Sequence, residues 1–210
     1  MVTLEETIEG VYVKRGILIS IEGCDGAGKT THSRRLRDSL VRYGFNAAYT
    51  TEPSLSKVGK FIRLNVSRAK KQIPVEVEAL LFAADRFEHI KTVVEPALRH
   101  GKIVISDRYV HSSLAYQGAR MANLDWLRKI NVFTLKPDLG IYLDVPPKVG
   151  LRRKLKDRTV FENFELQRKV RRIYLKFVER GELTLIDATG DLDKVDADIL
   201  KVALRFLNKK

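Results

Sequence analysis

The stretch IEGCDGAGKTT, residues 21–31, follows directly on the apolar run GILIS and constrains this chain more than any other segment. Gly23, Gly28, Lys29 and Thr30 fit the spacing G-x-x-x-x-G-K-[ST], in which glycines let backbone N–H groups turn inward around phosphates at a helix N-terminus. A Cβ at the glycines would block either the turn or the approach of the ligand. The motif's mechanics require a strand before it and a helix after it, and both are foreseen: an apolar run ends at Ile21, and helical spacing continues through Leu36 and Leu40. Residues Gly23, Cys24, Asp25, Gly26, Ala27, Gly28, Lys29, Thr30 and Thr31 are therefore expected to hold a nucleoside triphosphate, ATP. Lys29 would reach its β and γ phosphates and the Thr30 hydroxyl would ligate Mg²⁺.

Such a loop belongs to an α/β protein, and the chain alternates accordingly. Short apolar or β-branched runs at Ile17–Ile21, Ala47–Thr50, Ile103–Ser106, Ile141–Val145 and Leu183–Ile186 are separated by longer segments of helical period. Between Phe164 and Glu179, the residues Leu166, Val170, Ile173, Tyr174, Phe177 and Val178 trace one apolar helix face, opposite a basic one. Strands alternating with helices predict a three-layer α/β/α sandwich around a five-stranded parallel sheet. Ligands of such sheets sit at the carboxyl ends of the strands. That rule points to the segments beginning at Glu22, Thr51, Asp107 and Asp187.

Net charge is +13, from 39 Lys and Arg against 26 Asp and Glu, which suits phosphate-bearing partners. The basic residues crowd 152–158 and 168–172 without interleaved aromatics, unlike a stacking platform for single-stranded nucleic acid. A nucleic-acid-dependent ATPase is the rival reading that this charge suggests. The single cysteine, Cys24, excludes an intramolecular disulfide or a four-cysteine metal site. No apolar stretch is long enough for a transmembrane helix, and the acidic N-terminus lacks a signal-peptide core, so a soluble cytoplasmic protein with no membrane partner is expected.

The segment KIVISDRYVHSSLAYQG, 102–118, ends a buried run with Asp107, the expected Mg²⁺ partner, and sets Arg108 beside it. An arginine there suits a second anion near the γ phosphate, as a nucleoside monophosphate acceptor would supply. Taken alone, an Asp-Arg pair also fits a plain surface ion pair.

With IEGCDGAGKTT, TEP at 51–53, LLFAADRFEH at 80–89, DRYVHSSLAYQG at 107–118, LDW at 124–126, KPDLGIYLDV at 136–145 and DR at 157–158 in this order, the chain resembles the thymidylate kinase family. The resemblance runs from about Gly16 to beyond Tyr174. It implies a P-loop kinase fold over residues 16–210, with a lid at about 150–162 and an N-terminal extension at 1–15. It also implies Mg²⁺-dependent transfer of the γ phosphate of ATP to dTMP, in dTTP biosynthesis, by a homodimer that needs no nucleic acid. Phe82 would stack on thymine and Arg86 would hydrogen-bond the base, a pairing their i, i+4 spacing permits. Asp25 would engage the sugar 3′-hydroxyl, and Tyr116 would pack beside C2′. Glu52, Pro53, Ser112, Ser113 and Gln117 would line the acceptor site. Family members carry a catalytic arginine in the P-loop or in the lid. Gly26 occupies the P-loop position, so Arg153 or Arg158 is expected to act, with Arg152 on the adenine. Many relatives place an arginine before EP, where this chain has Thr51. Arg108, Arg63 and Lys60 would then hold the acceptor phosphate. Val160 replaces the family's lid acid. The stripe Leu80, Leu81, Ala84 is the expected dimer contact.

Overall fold

The computed structural model describes residues 7–8, 11–12, 15–65, 73–121, 123–153 and 160–208. Strands β1 (Thr7–Ile8) and β2 (Val11–Tyr12) pair antiparallel as a small ribbon within the expected N-terminal extension. The next five strands are β3 (Ile17–Gly23), β4 (Ala47–Thr51), β5 (Ile103–Asp107), β6 (Leu139–Asp144) and β7 (Thr184–Asp187). They form one all-parallel sheet in the order β4-β5-β3-β6-β7. The five anticipated strands are thus all present, with ends displaced by one or two residues. The sheet is parallel because every connection between these strands carries at least one helix, and a crossover of that length returns the chain to the same edge.

The helices are α1 (Lys29–Arg42), α2 (Lys57–Asn65), α3 (Val75–His89), α4 (Glu95–Arg99), α5 (Val110–Met121), α6 (Leu124–Ile130), α7 (Pro147–Arg153), α8 (Val160–Glu179) and α9 (Leu192–Leu207). A π-helical turn, Ile90–Val94, joins α3 to α4. Helix α8 begins four residues before the apolar stripe at 164 that marks it in the sequence. Among the described residues no helix is long and apolar enough to cross a membrane.

Strand periodicity decides what each sheet face buries. Ile19 and Ile21 of β3, Ile105 of β5 and Ile141 of β6 meet Leu36 and Leu40 of α1 and Val195, Ile199 and Ala203 of α9. The alternate residues face the other layer. Leu18 and Val104 pack with Ile90, Val94 and Leu98, while Tyr142 packs with Leu114, Val170, Tyr174 and Phe177 of α5 and α8. Covering both faces explains why these strands read as continuous apolar runs rather than alternating ones. The two polar interruptions of β3, Ser20 and Glu22, share the Leu18 face and are fully buried. Register pairs Ile21 with Asp107 and Gly23 with Leu143, so the loop after β3 opens at the centre of the sheet's carboxyl edge.

Candidate active site

The loop between β3 and α1 is built on left-handed glycines. Gly26 has φ 77° and Gly28, the residue preceding α1, has φ 83°, both in the region a side chain disfavours. Lys29 is buried and its Nζ donates to the Cys24 carbonyl at 2.7 Å. Burial, reinforced by Arg108, lowers its pKa to about 8. The Thr30 hydroxyl donates to Asp107 Oδ2 at 2.5 Å, so the two residues expected to serve one metal are already in contact. The Tyr49 hydroxyl approaches the same oxygen at 3.3 Å. Thr31 is exposed on the first turn of α1. Cys24 is buried, and desolvation raises its thiol pKa to about 11, so it is an inert packing residue.

A second cluster lies against this loop. The Asp25 carboxylate accepts from Arg108 Nη2 at 2.9 Å and from the Tyr116 hydroxyl at 2.8 Å, both on Oδ1. Arg108 also lies over the Tyr116 ring, 5.0 Å from its centroid. Its backbone φ is 71°, the one positive value among the described non-glycine residues. Strained conformations of this kind persist only where the surroundings over-determine them. Gln167 of α8 closes the far side of Asp25: its Oε1 accepts from the Asp25 N–H at 3.0 Å and its Nε2 donates to Oδ2 at 3.2 Å.

Arg86 sits in a third cluster and is fully buried. Its Nε donates to Glu52 Oε2 at 2.8 Å, its Nη2 to Ser113 Oγ at 2.8 Å, and its Nη1 to Asn131 Oδ1. Glu52 is itself buried, with Oε1 beside His89 Nδ1 at 3.2 Å, and His89 Nε2 lies 2.6 Å from Thr50 Oγ1. Both Glu52 oxygens are therefore engaged. The Glu52-Pro53 peptide bond is cis. Arg63 donates to the carbonyls of Ser54 and Pro53, and Asp85 accepts from the Ser54 N–H and from the Ser54 and Ser56 hydroxyls. These bonds fasten the 52–56 loop to α2 and α3. Phe82 is half-buried one turn before Arg86, and Gln117 is buried on α5 with its Nε2 on Glu78. Ser112 faces Glu22, at 2.6 Å, as well as Arg108 at 3.4 Å.

The start of the expected lid is α7, and it packs directly on the P-loop. A Cβ on Gly26 would fall 2.8 Å from Gly150 Cα and 2.5 Å from the Gly150 carbonyl carbon. No side chain fits at 26, which gives a steric reason for the missing P-loop arginine. Arg153 donates to the carbonyls of Ala188 and Thr189, at 3.0 and 3.2 Å, just beyond β7. Arg152 is exposed. Arg158 lies outside the described residues, as does the whole segment 154–159 between α7 and α8. Arg171 grips Asp144 at the end of β6 with two bonds of 2.8 Å and so anchors α8 to the sheet.

Sequence reasoning did not pick out Gln167, Asn131, His89 or Gly150. Gln167 left a usable signal, because it stands three and seven residues before Val170 and Tyr174, inside the buried stripe of α8. A polar residue on a core stripe needs a buried partner. Asn131 and His89 left none, since their partners are remote in sequence.

The family model described as thymidylate kinase matches residues 21–199. A probable thymidylate kinase of Pyrococcus horikoshii is 45% identical over 194 residues, covering 89% of this chain and 95% of the relative. A probable thymidylate kinase of Staphylothermus marinus is 43% identical over 199 residues, covering 91% and 96%. A thymidylate kinase of Onion yellows phytoplasma is 40% identical over 192 residues, covering 85% and 92%. With a glycine loop, an acid-arginine-tyrosine cluster against it and a family match across most of its length, the chain belongs to the thymidylate kinase family and is a nucleoside monophosphate kinase, a phosphotransferase.

Proposed function

We propose that this chain transfers the γ-phosphoryl group of ATP to dTMP, giving ADP and dTDP, in the supply of dTTP. The observation that carries this reading is the Asp25-Arg108-Tyr116 cluster. A carboxylate inside a phosphate-binding loop repels phosphate and obstructs a simple ATPase, but it suits a sugar hydroxyl offered by a second nucleotide. Arg108 is then the cation that receives the acceptor phosphate, and Tyr116 supplies bulk beside C2′ that disfavours ribose. Arg86 and Phe82, one helical turn apart on α3, read the pyrimidine. Glu52, Ser113 and Asn131 hold the Arg86 guanidinium at a fixed angle.

Phosphoryl transfer asks for positioning and charge neutralisation rather than covalent help from the protein. Burial lowers the Lys29 pKa to about 8, and a phosphate taking the place of the Cys24 carbonyl as its partner would favour its charged form. The backbone N–H groups of Gly26 to Thr30 face the donor phosphates from the start of α1. Thr30 and Asp107 offer hard oxygen donors in mutual contact, which fits Mg²⁺, an ion usually held by one or two protein oxygens with waters and phosphates. Bound there, Mg²⁺ would neutralise charge on the transferred group. Helix α7 packs on the P-loop at Gly26, and we assign the catalytic arginine to the lid, on Arg153 or Arg158. Arg153 must leave the Ala188 and Thr189 carbonyls to serve. Arg152 remains the candidate for the donor base, and Arg63 braces the loop carrying Glu52 and Pro53 beside the acceptor.

Residues 16–210 act as one kinase domain in this reading, in the cytoplasm, with no nucleic acid or membrane partner. Val77, Leu80, Ala84 and Phe87 form an exposed apolar stripe on α3, extended by Phe133, whose ring lies 5.4 Å from that of Phe87. A second copy of the chain covers it in the proposed homodimer. The test is ADP release with ATP, Mg²⁺ and each deoxy- and ribonucleoside monophosphate in turn, alongside single-stranded DNA and a Lys29→Ala protein. dTMP should give the highest kcat/KM, and Lys29→Ala should abolish turnover. Turnover that needs DNA, or that ignores the acceptor, would refute the proposal.

A further inference from the structure

Glu22 is the one fully buried carboxylate of the central strand, and the reaction as described gives it nothing to do. Its Oε1 accepts from the Tyr109 backbone N–H at 3.0 Å. Its Oε2 accepts from the Ser112 hydroxyl at 2.6 Å and the Tyr174 hydroxyl at 3.1 Å. Two of these donors, Tyr109 and Ser112, follow Arg108 in the chain. The backbone of Arg108 is clamped at each end as well, its N–H donating to Ile21 O at 3.0 Å and its carbonyl accepting from Ser106 Oγ at 2.7 Å. A non-glycine residue at φ 71° needs such over-determination to persist.

We propose that Glu22 is a positioning residue for the acceptor phosphate: it fixes the strained backbone at Arg108 and orients the Ser112 hydroxyl so that its lone pair supports the Arg108 guanidinium. This rests on the reading of Arg108 as the acceptor's cation. The polarity follows from the donors. An ionised Glu22 draws the single Ser112 hydrogen toward itself, leaving an acceptor turned to Arg108 Nη1, 3.4 Å away. A glutamine in its place keeps the bond from Tyr109 but presents an NH₂ group to Ser112 and Tyr174. Ser112 then loses its carboxylate acceptor, and its hydrogen turns to the Tyr174 hydroxyl, 3.1 Å away, so its lone pairs are no longer held toward Arg108. The charged groups near Glu22 are Arg108, between β5 and α5, and Arg86 on α3, with the Tyr174 phenol on α8. Desolvation outweighs them and raises the Glu22 pKa to about 7, so its ionisation changes in the neutral range.

The experiment compares wild type, Glu22→Gln and Ser112→Ala in steady-state ADP release, varying dTMP and ATP separately from pH 5.5 to about 9, a range chosen to span both titrations. For Glu22→Gln the KM for dTMP should rise about 10- to 100-fold, the range for a lost charge-assisted bond, while the KM for ATP stays within about 3-fold. Wild-type kcat/KM for dTMP should rise with pH through about 7, above the substrate phosphate's own step near about 6, and Glu22→Gln should keep only the substrate step. Ser112→Ala, which leaves the strand untouched, should reproduce the KM split and serves if the glutamine protein does not fold. Equal rises in both KM values, or an unchanged pH profile, would overturn the inference and leave the dTMP reading intact. A wild type inactive on dTMP would overturn both.

Discussion

Substituting Gly26 by alanine tests whether α7 packs on the P-loop as described. The added Cβ would stand 2.5 and 2.8 Å from backbone atoms of Gly150, against an ordinary contact of at least 3.4 Å. Backbone cannot swing aside as a flexible side chain can, so α7 or the loop must retreat by 0.6 to 0.9 Å, the differences between those distances, and further to clear the Gly150 oxygen. A misplacement of about 1 Å in a site that works by alignment costs on the order of 100-fold in rate. The left-handed φ of 77° adds roughly 1–2 kcal/mol of strain for any residue with a Cβ. Gly44→Ala separates the two effects, because Gly44 has φ 85° and nothing within 4 Å of its added Cβ. Both variants should lose about 2–8 °C in Tm from the backbone strain. Only Gly26→Ala should lose kcat/KM for ATP and dTMP, by about 100-fold in the coupled ADP-release assay. Wild-type kinetics in Gly26→Ala would refute the packing of α7 on this loop.

Stability should depend on pH through Glu22. Its folded pKa of about 7 lies above the ordinary 4.5, so its contribution is fully present below pH 4.5 and is lost as pH rises through 7, about 3 kcal/mol in all. Urea melts of wild type and Glu22→Gln across that window should diverge by about this amount in favour of glutamine at high pH, and parallel curves would contradict it. Arg86→Ala should destabilise by about 3–5 kcal/mol, because the buried Glu52 carboxylate loses its cation; thermal unfolding near the wild-type Tm would show that Arg86 is not bracing Glu52. Phe87→Glu alters a half-exposed residue that pairs only with Phe133 and Lys91 among the described residues' rings and cations, so it should cost the monomer no more than about 1.5 kcal/mol yet yield monomers in sedimentation, whereas an unaltered oligomer would place the interface elsewhere.

The P-loop is legible in the sequence because its chemistry is local: the glycines, Lys29 and Thr30 are contiguous, and only one backbone shape satisfies them. The sheet is legible for a similar reason, since strands covered on both faces become apolar runs that stand out from amphipathic helices. Strand order is less accessible, because every parallel strand of this kind has the same composition. The partners of Asp25 illustrate the limit. Arg108 lies 83 residues away, Tyr116 lies 91 and Gln167 lies 142. Family resemblance brings the first two forward, and neither periodicity nor spacing could do so.

The sequence by itself determined the glycine-rich loop with its Lys29-Thr30 pair, the α/β class and the residue types available to a kinase site. Only the tertiary structure decided that Glu22 accepts from Tyr109, Ser112 and Tyr174 rather than pairing elsewhere, that Glu52 uses both oxygens to hold Arg86 and His89, and that Gly26 and Gly150 meet with no room for a side chain. Local preferences extend over a helical turn or a hairpin, whereas these contacts are made by the crossovers that bring β3, α3, α5, α7 and α8 to one edge of the sheet. Their energies depend on burial and mutual geometry, and neither exists until the chain has closed around them.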